Sequence, residues 1–196
     1  LHDRWERDMT ATACRRQEDV AACEILGADY QHWELPDCIY RRHRQTGEAL
    51  YTSDEDIFAA VHLDDVALAD QLAERLAGLP AAESVYVPLT VGHHVDHQLT
   101  RLAAEKWRPV ESFLYYEDYP YAADRAAVAR ALVEPAEWAY EACTLSAAEF
   151  AQKISAMEAF VSQLSSFFTD RADLIEKIKA YGGIVGGERV WRRLVS

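Results

Sequence analysis

The turn Gly92-His93-His94-Val95-Asp96-His97 constrains this chain more than any other stretch. Three of its seven histidines fall within five consecutive positions, with a carboxylate between the last two. The preceding segment, Glu83-Ser84-Val85-Tyr86-Val87-Pro88-Leu89, reads as a buried strand. The following segment, Gln98 to Trp107, reads as a helix with Leu99, Leu102 and Ala103 on its inner face. The cluster therefore stands where a strand ends and a helix begins. In open α/β sheets ligands bind at the carboxyl ends of strands. Imidazole is also the commonest protein ligand of transition metals.

The rest of the pattern is consistent with such a sheet. Arg15 to Leu26 reads as a helix closed by Gly27. Tyr30 to Leu35 reads as a short strand ended by Pro36-Asp37, and Arg41 to Gly47 as an exposed polar loop. Ser53 offers an N-cap to a short acidic helix running to Val61. Asp64 to Leu76 is amphipathic and closed by Gly78 and Pro80. Strands are expected at Ser112–Tyr116 and Trp138–Leu145, with a small-residue helix over 123–132. Ser146 with Glu149 forms a capping box opening a helix to about Phe167, and a last helix covers Asp170–Tyr181. Strands alternating with helices predict an α/β fold with a largely parallel sheet, and 196 residues fit one domain over 1–196.

Composition excludes some partners. A net charge of −13 repels phosphate backbones and anionic membrane surfaces, so neither nucleic acid nor membrane is an expected partner. The start, Leu1-His2-Asp3-Arg4-Trp5-Glu6-Arg7-Asp8, is charged and loop-like, not a signal peptide, and it lacks an initiator Met. It reads as the opening of a fragment. Cys14, Cys23, Cys38 and Cys143 form no CxxC pair and read as buried or half-buried free thiols of a cytoplasmic protein. Exposed aromatic and aliphatic positions leave room for a homo-oligomer.

Within the histidine turn, His94 and His97 are three apart and can project from one face of a first helical turn. His97 could hold a metal with His94 beside it. Asp96 could fix an imidazole tautomer, and a histidine kept cationic by a carboxylate can stabilise an oxyanion. The alternative is a set of polar capping residues on an ordinary surface turn.

The stretch Pro88 to His97 resembles the second motif, HxDH, of the LmbE/PIG-L-like zinc-dependent de-N-acetylases. Other parts resemble that family in the same order. Arg15-Arg16-Gln17-Glu18 with Ile25-Leu26-Gly27 is similar to its RxxE helix ending in LG, Leu35-Pro36-Asp37 to the loop after its third strand, and Lys153, Ala156 and Ser162-Gln163 to its K…A…SQ pattern. The resemblance implies a Rossmann-like three-layer αβα fold. It also implies a Zn-dependent amidohydrolase that removes acetyl from an N-acetylglucosamine-type or related sugar-like amide. On that reading His97 is a zinc ligand, and His94 is the imidazolium that stabilises the oxyanion. Asp96 is then the partner that orients His94, and Arg15 reaches the substrate. No family role carries over to His93, which is a bystander or lines the pocket mouth.

The family's first motif, AHPDDE, supplies two further ligands and the general base, and it is not found ahead of Arg15. The first two strands are therefore expected upstream, and the chain alone is expected to be inactive. His62-Leu63-Asp64-Asp65 imitates HPDD by letters, but it lies between two helical stretches. Asp64 and Asp65 read better as an N-cap and a first-turn acid. Two alternatives stay open: a non-catalytic relative that kept the fold and lost the metal site, and a hydrolase using His62 and Asp65 with His97.

Overall fold

The structure is a computed structural model describing residues 8–194, so the polar opening at 1–7 lies outside the described residues. In chain order its helices are α1 (Asp8–Leu26), α2 (Asp54–Ile57), α3 (Leu63–Ala77), α4 (Val95–Trp107), α5 (Arg125–Ala131), α6 (Ala147–Glu158), α7 (Val161–Leu164) and α8 (Arg171–Val185). Its strands are β1 (Tyr86–Pro88), β2 (Leu114–Tyr116), β3 (Trp138–Cys143) and β4 (Glu188–Arg193). The fold is mixed α/β. The strand order is β1-β2-β4-β3. β1 and β2 run parallel, with Tyr86 opposite Leu114 and Pro88 opposite Tyr116, while β2 and β4 run antiparallel. Among the described residues, the parallel character expected of the sheet is carried by β1–β2, the pair that ends at the histidine turn.

Two compact units form, one from residues up to Glu34 with Ala142–Glu188, the other from Leu35–Glu141 with Arg189 onward. In the first unit α1 packs on α6. The buried Glu18 carboxylate accepts the backbone N–H and the hydroxyl of Ser162, each at 2.7 Å, and Gln152 donates to the Ile25 carbonyl at 2.6 Å. The RxxE and SQ motifs thus meet although 144 residues separate them. The helix opened by the Ser146–Glu149 capping box stops at Glu158, short of Phe167. Phe160 leaves helical geometry with ψ 56°, and the short α7 after it carries Ser162 to Glu18. Tyr30–Leu35 is irregular and not a strand. Tyr30, Gln31 and Glu34 are exposed, so pairing this stretch would bury little.

In the second unit α4 lies against β1 and α3 packs on α4. Val95, Leu99, Ala103 and Ala104 point inward. Arg101 ties the helix to the sheet by donating to the Leu89 carbonyl at 3.1 Å and to Glu105 at 2.8 Å. Its guanidinium also lies 4.8 Å from the Tyr115 ring centre. Both helices open on a histidine: His62 caps α3 and His94 caps α4, each accepting the N–H two residues on.

Those two caps set up the central contact of the unit. Packing α3 on α4 brings Asp65 and Asp96 towards each other, and two facing carboxylates repel. Arg41 lies between them, its Nε 2.8 Å from Asp65 and its Nη2 2.5 Å from Asp96. The Tyr51 hydroxyl also donates to Asp65 at 2.9 Å, and the Cys38 N–H to Asp96 at 3.3 Å. The expected exposed loop at 41–47 is therefore wrong at its first residue, whose guanidinium is 7% exposed. Asp65 is a first-turn acid of α3 as expected, and it is also a buried partner of Arg41. Cys38, Tyr51 and Val95 close the surrounding core with Ile39, Leu50, Ile57 and Val61.

Removing one member of a buried ion cluster leaves the others uncompensated, at a cost of about 3–5 kcal/mol. Arg41→Met should lower the unfolding free energy by about that amount in urea denaturation. A change near zero would mean that the two acids do not depend on the guanidinium.

Candidate functional site

The chain leaves β1 at Leu89, whose N–H bonds the Tyr116 carbonyl at 2.9 Å. Thr90 (φ 66°) and His93 (φ 58°) then take left-handed backbone, and the His93 N–H closes the turn on the Thr90 carbonyl. Residues other than glycine adopt this region at a cost and keep it where their surroundings fix them, often at functional sites. Gly92 has a separate reason. A Cβ there would sit 2.3 Å from ring atoms of Tyr121, so only glycine lets that ring press on the turn.

The turn aims His94 and His97 at the same space, their ring centres 5.5 Å apart. His94 Nδ1 accepts the Asp96 N–H at 3.2 Å, which assigns the proton of the neutral ring to Nε2. Burial pushes the His94 pKa below its ordinary value, and His97 adds to this against the opposing charge of Asp96. Burial thus favours the neutral ring, with Nε2–H as its donor, whereas the resemblance implies an imidazolium. The ring is oriented by the backbone of Asp96. The Asp96 carboxylate is occupied by Arg41 and the Cys38 N–H.

His97 has a different partner. Its Nδ1 lies 2.6 Å from Asp118 Oδ1, and the Asp118 side chain is 1% exposed. Both atoms are shut off from solvent and neither makes a hydrogen bond elsewhere, so this contact is what satisfies them. A carboxylate at Nδ1 holds the proton there and leaves the Nε2 lone pair outward, the orientation of a metal-ligating histidine. Asp118 Oδ2 also accepts the Val91 N–H at 3.0 Å, joining the turn to the end of β2. Its neighbour Glu117 is buried and accepts from Arg189 Nε (2.6 Å), Trp191 Nε1 (2.7 Å) and Arg125 Nη1 (3.0 Å), which anchors this segment to β4.

A second group could hold a metal by spacing alone: ligand atoms of Cys38, His94 and Asp96 lie within 4.8 Å of one another. Its chemistry is less suitable. Burial and the charges of Asp96 and Asp37 push the Cys38 thiol far up in the metal-free protein, so a cation there would have to displace a firmly held proton. A cation there would also meet the Arg41 guanidinium on Asp96.

The structure thus brings His94, Asp96 and His97 together. Arg15 stands on α1 in the other unit. His62 and Asp65 are taken up by the α3 cap and the Arg41 cluster. Asp118, Arg41, Phe58 and Tyr121 were not singled out for these places by the sequence. For Asp118 a signal existed: it follows β2 as the histidine turn follows β1, and parallel neighbours end on the same side. The His93 imidazole is engaged beside this space, with Gln98 Nε2 3.1 Å from its Nδ1. Its Nδ1 pairs with the Phe58 carbonyl at 3.1 Å.

No family model matches the chain. The zinc-inhibited form of teicoplanin deacetylase Orf2 matches 96% of this chain and 76% of its own, with TM-score 0.76 and 25% identity. A deacetylase–teicoplanin complex matches at TM-score 0.75 and 23% identity, over 95% of this chain and 74% of its own. The 2'-N-acetylparomamine deacetylase of Streptomyces fradiae is 31% identical over 121 residues, 58% of this chain. The chain is thus similar to deacetylases in both sequence and fold. It spans less than half the length of that curated deacetylase, the match covering 39% of it.

Two substitutions test this geometry. Long-range proton–nitrogen NMR should find His97 protonated at Nδ1, and Asp118→Ala should move the proton towards Nε2. An unchanged tautomer would remove Asp118 from the account. Gly92→Ala should cost about 1–3 kcal/mol in thermal unfolding through overpacking against Tyr121, whereas a neutral outcome would mean that the ring does not rest on the turn.

Proposed function

We propose that this chain is part of a metal-dependent amidohydrolase that removes an N-acetyl group from an amino-sugar-like substrate. The observation that carries the proposal is His97, whose Nε2 is turned outward by the buried Asp118. The adjacent His94, whose burial favours a neutral ring with Nε2–H as donor, supports the same reading. The deacetylases named above lend support through their likeness to this chain.

The residues fit a zinc ion at one position: a neutral imidazole with a carboxylate behind it is an ordinary zinc ligand. When bound, such an ion lowers the pKa of water and polarises the acetyl carbonyl. The chain's own residues do the rest. Asp118 keeps His97 in its ligating tautomer. His94 offers Nε2–H to the carbonyl oxygen as negative charge gathers there, and the Asp96 backbone keeps the ring from turning. Arg41 holds the two helix starts in place, so these imidazoles are fixed before substrate arrives. Arg15 is proposed to contact the substrate, on the strength of the RxxE resemblance alone.

The proposal places the protein in the cytoplasm, supported by four free cysteines and by the lack of any helix, among the described residues, long and apolar enough to cross a membrane. Cys14 and Cys143 are exposed, not buried as expected, and exposed thiols persist in a reducing compartment. Self-association is supported by exposed apolar side chains such as Leu63 and Val133.

A second reading, a relative that binds without catalysis, is favoured by one observation. Asp96 and Asp118, the carboxylates beside the two histidines, are both engaged, which leaves neither as a general base. The two readings separate in one assay on the full-length gene product. Acetate release from an N-acetylated aminosugar should be abolished by a chelator, and Asp118→Ala should weaken zinc binding by about 10- to 100-fold. A protein that holds no stoichiometric zinc and releases no acetate would support the binding role.

A further inference from the structure

Phe58 is an aromatic residue placed at the histidines with its surface left open. It follows α2 as its C-cap residue, and the Ser53–Asp56 capping box fixes that short helix. Its ring meets His94 edge to face at 5.5 Å and Tyr121 at 5.9 Å, and Tyr121 in turn faces His97 at 6.5 Å. Phe58 nonetheless remains 39% exposed. Several polar contacts hold its backbone there. His93 Nδ1 pairs with the Phe58 carbonyl, and Gln98 Nε2 donates to the carbonyls of Ala59 (2.7 Å) and His93 (2.5 Å). These contacts come from His93 and Gln98, on either side of the His94–His97 face. The same short segment therefore sets the imidazoles and the phenyl ring relative to each other.

Hydrophobic burial alone does not account for the placement, since a ring kept for burial would be covered. An exposed phenyl ring with polar donors beneath suits a ligand with one apolar face and a polar rim. A pyranose ring is such a ligand. The C–H bonds on one of its faces carry partial positive charge and meet the negative face of an aromatic ring, while its hydroxyl and amide groups remain at the edge for polar partners.

We propose that Phe58 and Tyr121 form an aromatic wall that binds the C–H face of the substrate's sugar ring and so sets the acetamido group over His94 and His97. This rests on the deacetylase reading and names the part of the substrate that is gripped. It also gives roles to residues so far without one: His93 and Gln98 position the wall, and Gly92 makes room for Tyr121.

Saturation-transfer NMR with methyl N-acetyl-β-glucosaminide on the full chain tests the wall without requiring turnover. Saturation of aromatic protons should pass most strongly to the axial hydrogens on one face of the sugar. Phe58→Ala should weaken binding by about tenfold, and Phe58→Trp should restore it. In the hydrolysing full-length protein, Phe58→Ala should raise KM and leave kcat nearly unchanged. Because Phe58 is partly exposed, circular dichroism of the alanine variant should match the parent. Equal sugar binding by parent and Phe58→Ala, or a change in kcat with KM untouched, would overturn the wall while leaving the deacetylase reading intact. Absence of both sugar binding and acetate release in the parent would overturn the reading and the wall together.

Discussion

Arg41 is the residue on which the geometry of the site depends. Two helices start beside each other, each capped by a histidine and each presenting an aspartate near its first turn. Without a cation between them, Asp65 and Asp96 would oppose the packing of α3 on α4. The guanidinium spans both carboxylates, and the Tyr51 hydroxyl and Cys38 N–H complete their hydrogen bonds. Because α4 begins at His94, its anchoring also fixes the two imidazoles. A buried ion cluster adds little net stability, but it permits few alternative arrangements, and a preorganised site needs that restriction.

Asp118 plays the corresponding part from the sheet. β1 and β2 are parallel neighbours, so the turn after one and the acid after the other arrive on the same side. Asp118 uses one oxygen for the turn's backbone and the other for His97, while Glu117 beside it is held by Arg189, Trp191 and Arg125. The two buried acids thus link β4, the end of β2 and the histidine turn. The tautomer of one imidazole is a consequence of the sheet's topology.

What the sequence showed plainly was local. The strand–turn–helix around His94 and His97, the Ser53 N-cap, the Ser146–Glu149 capping box and the glycine after α1 are all decided by residues within a few positions of one another. Arg41 looked like a loop residue because its partner Asp96 lies 55 positions away. Asp118 lies just past the expected strand Ser112–Tyr116, and its place after β2 became a signal only once β1 and β2 were seen to be parallel neighbours. Tyr30–Leu35 has strand-like composition, yet it joins no strand among the described residues and is irregular. Asp65 was legible as a first-turn acid, but its burial against Arg41 was not, because that depends on the packing of α3 on α4.

The central claim is that His97, oriented by Asp118, is a metal ligand, and that the thiol-bearing cluster at Cys38 is not the metal's site. X-ray absorption at the zinc edge of the zinc-loaded full-length protein tests it most directly. The account predicts a shell of nitrogen and oxygen with imidazole scattering that is lost in His97→Ala. A sulfur neighbour at about 2.3 Å, retained in His97→Ala, would place the metal at a cysteine and contradict it.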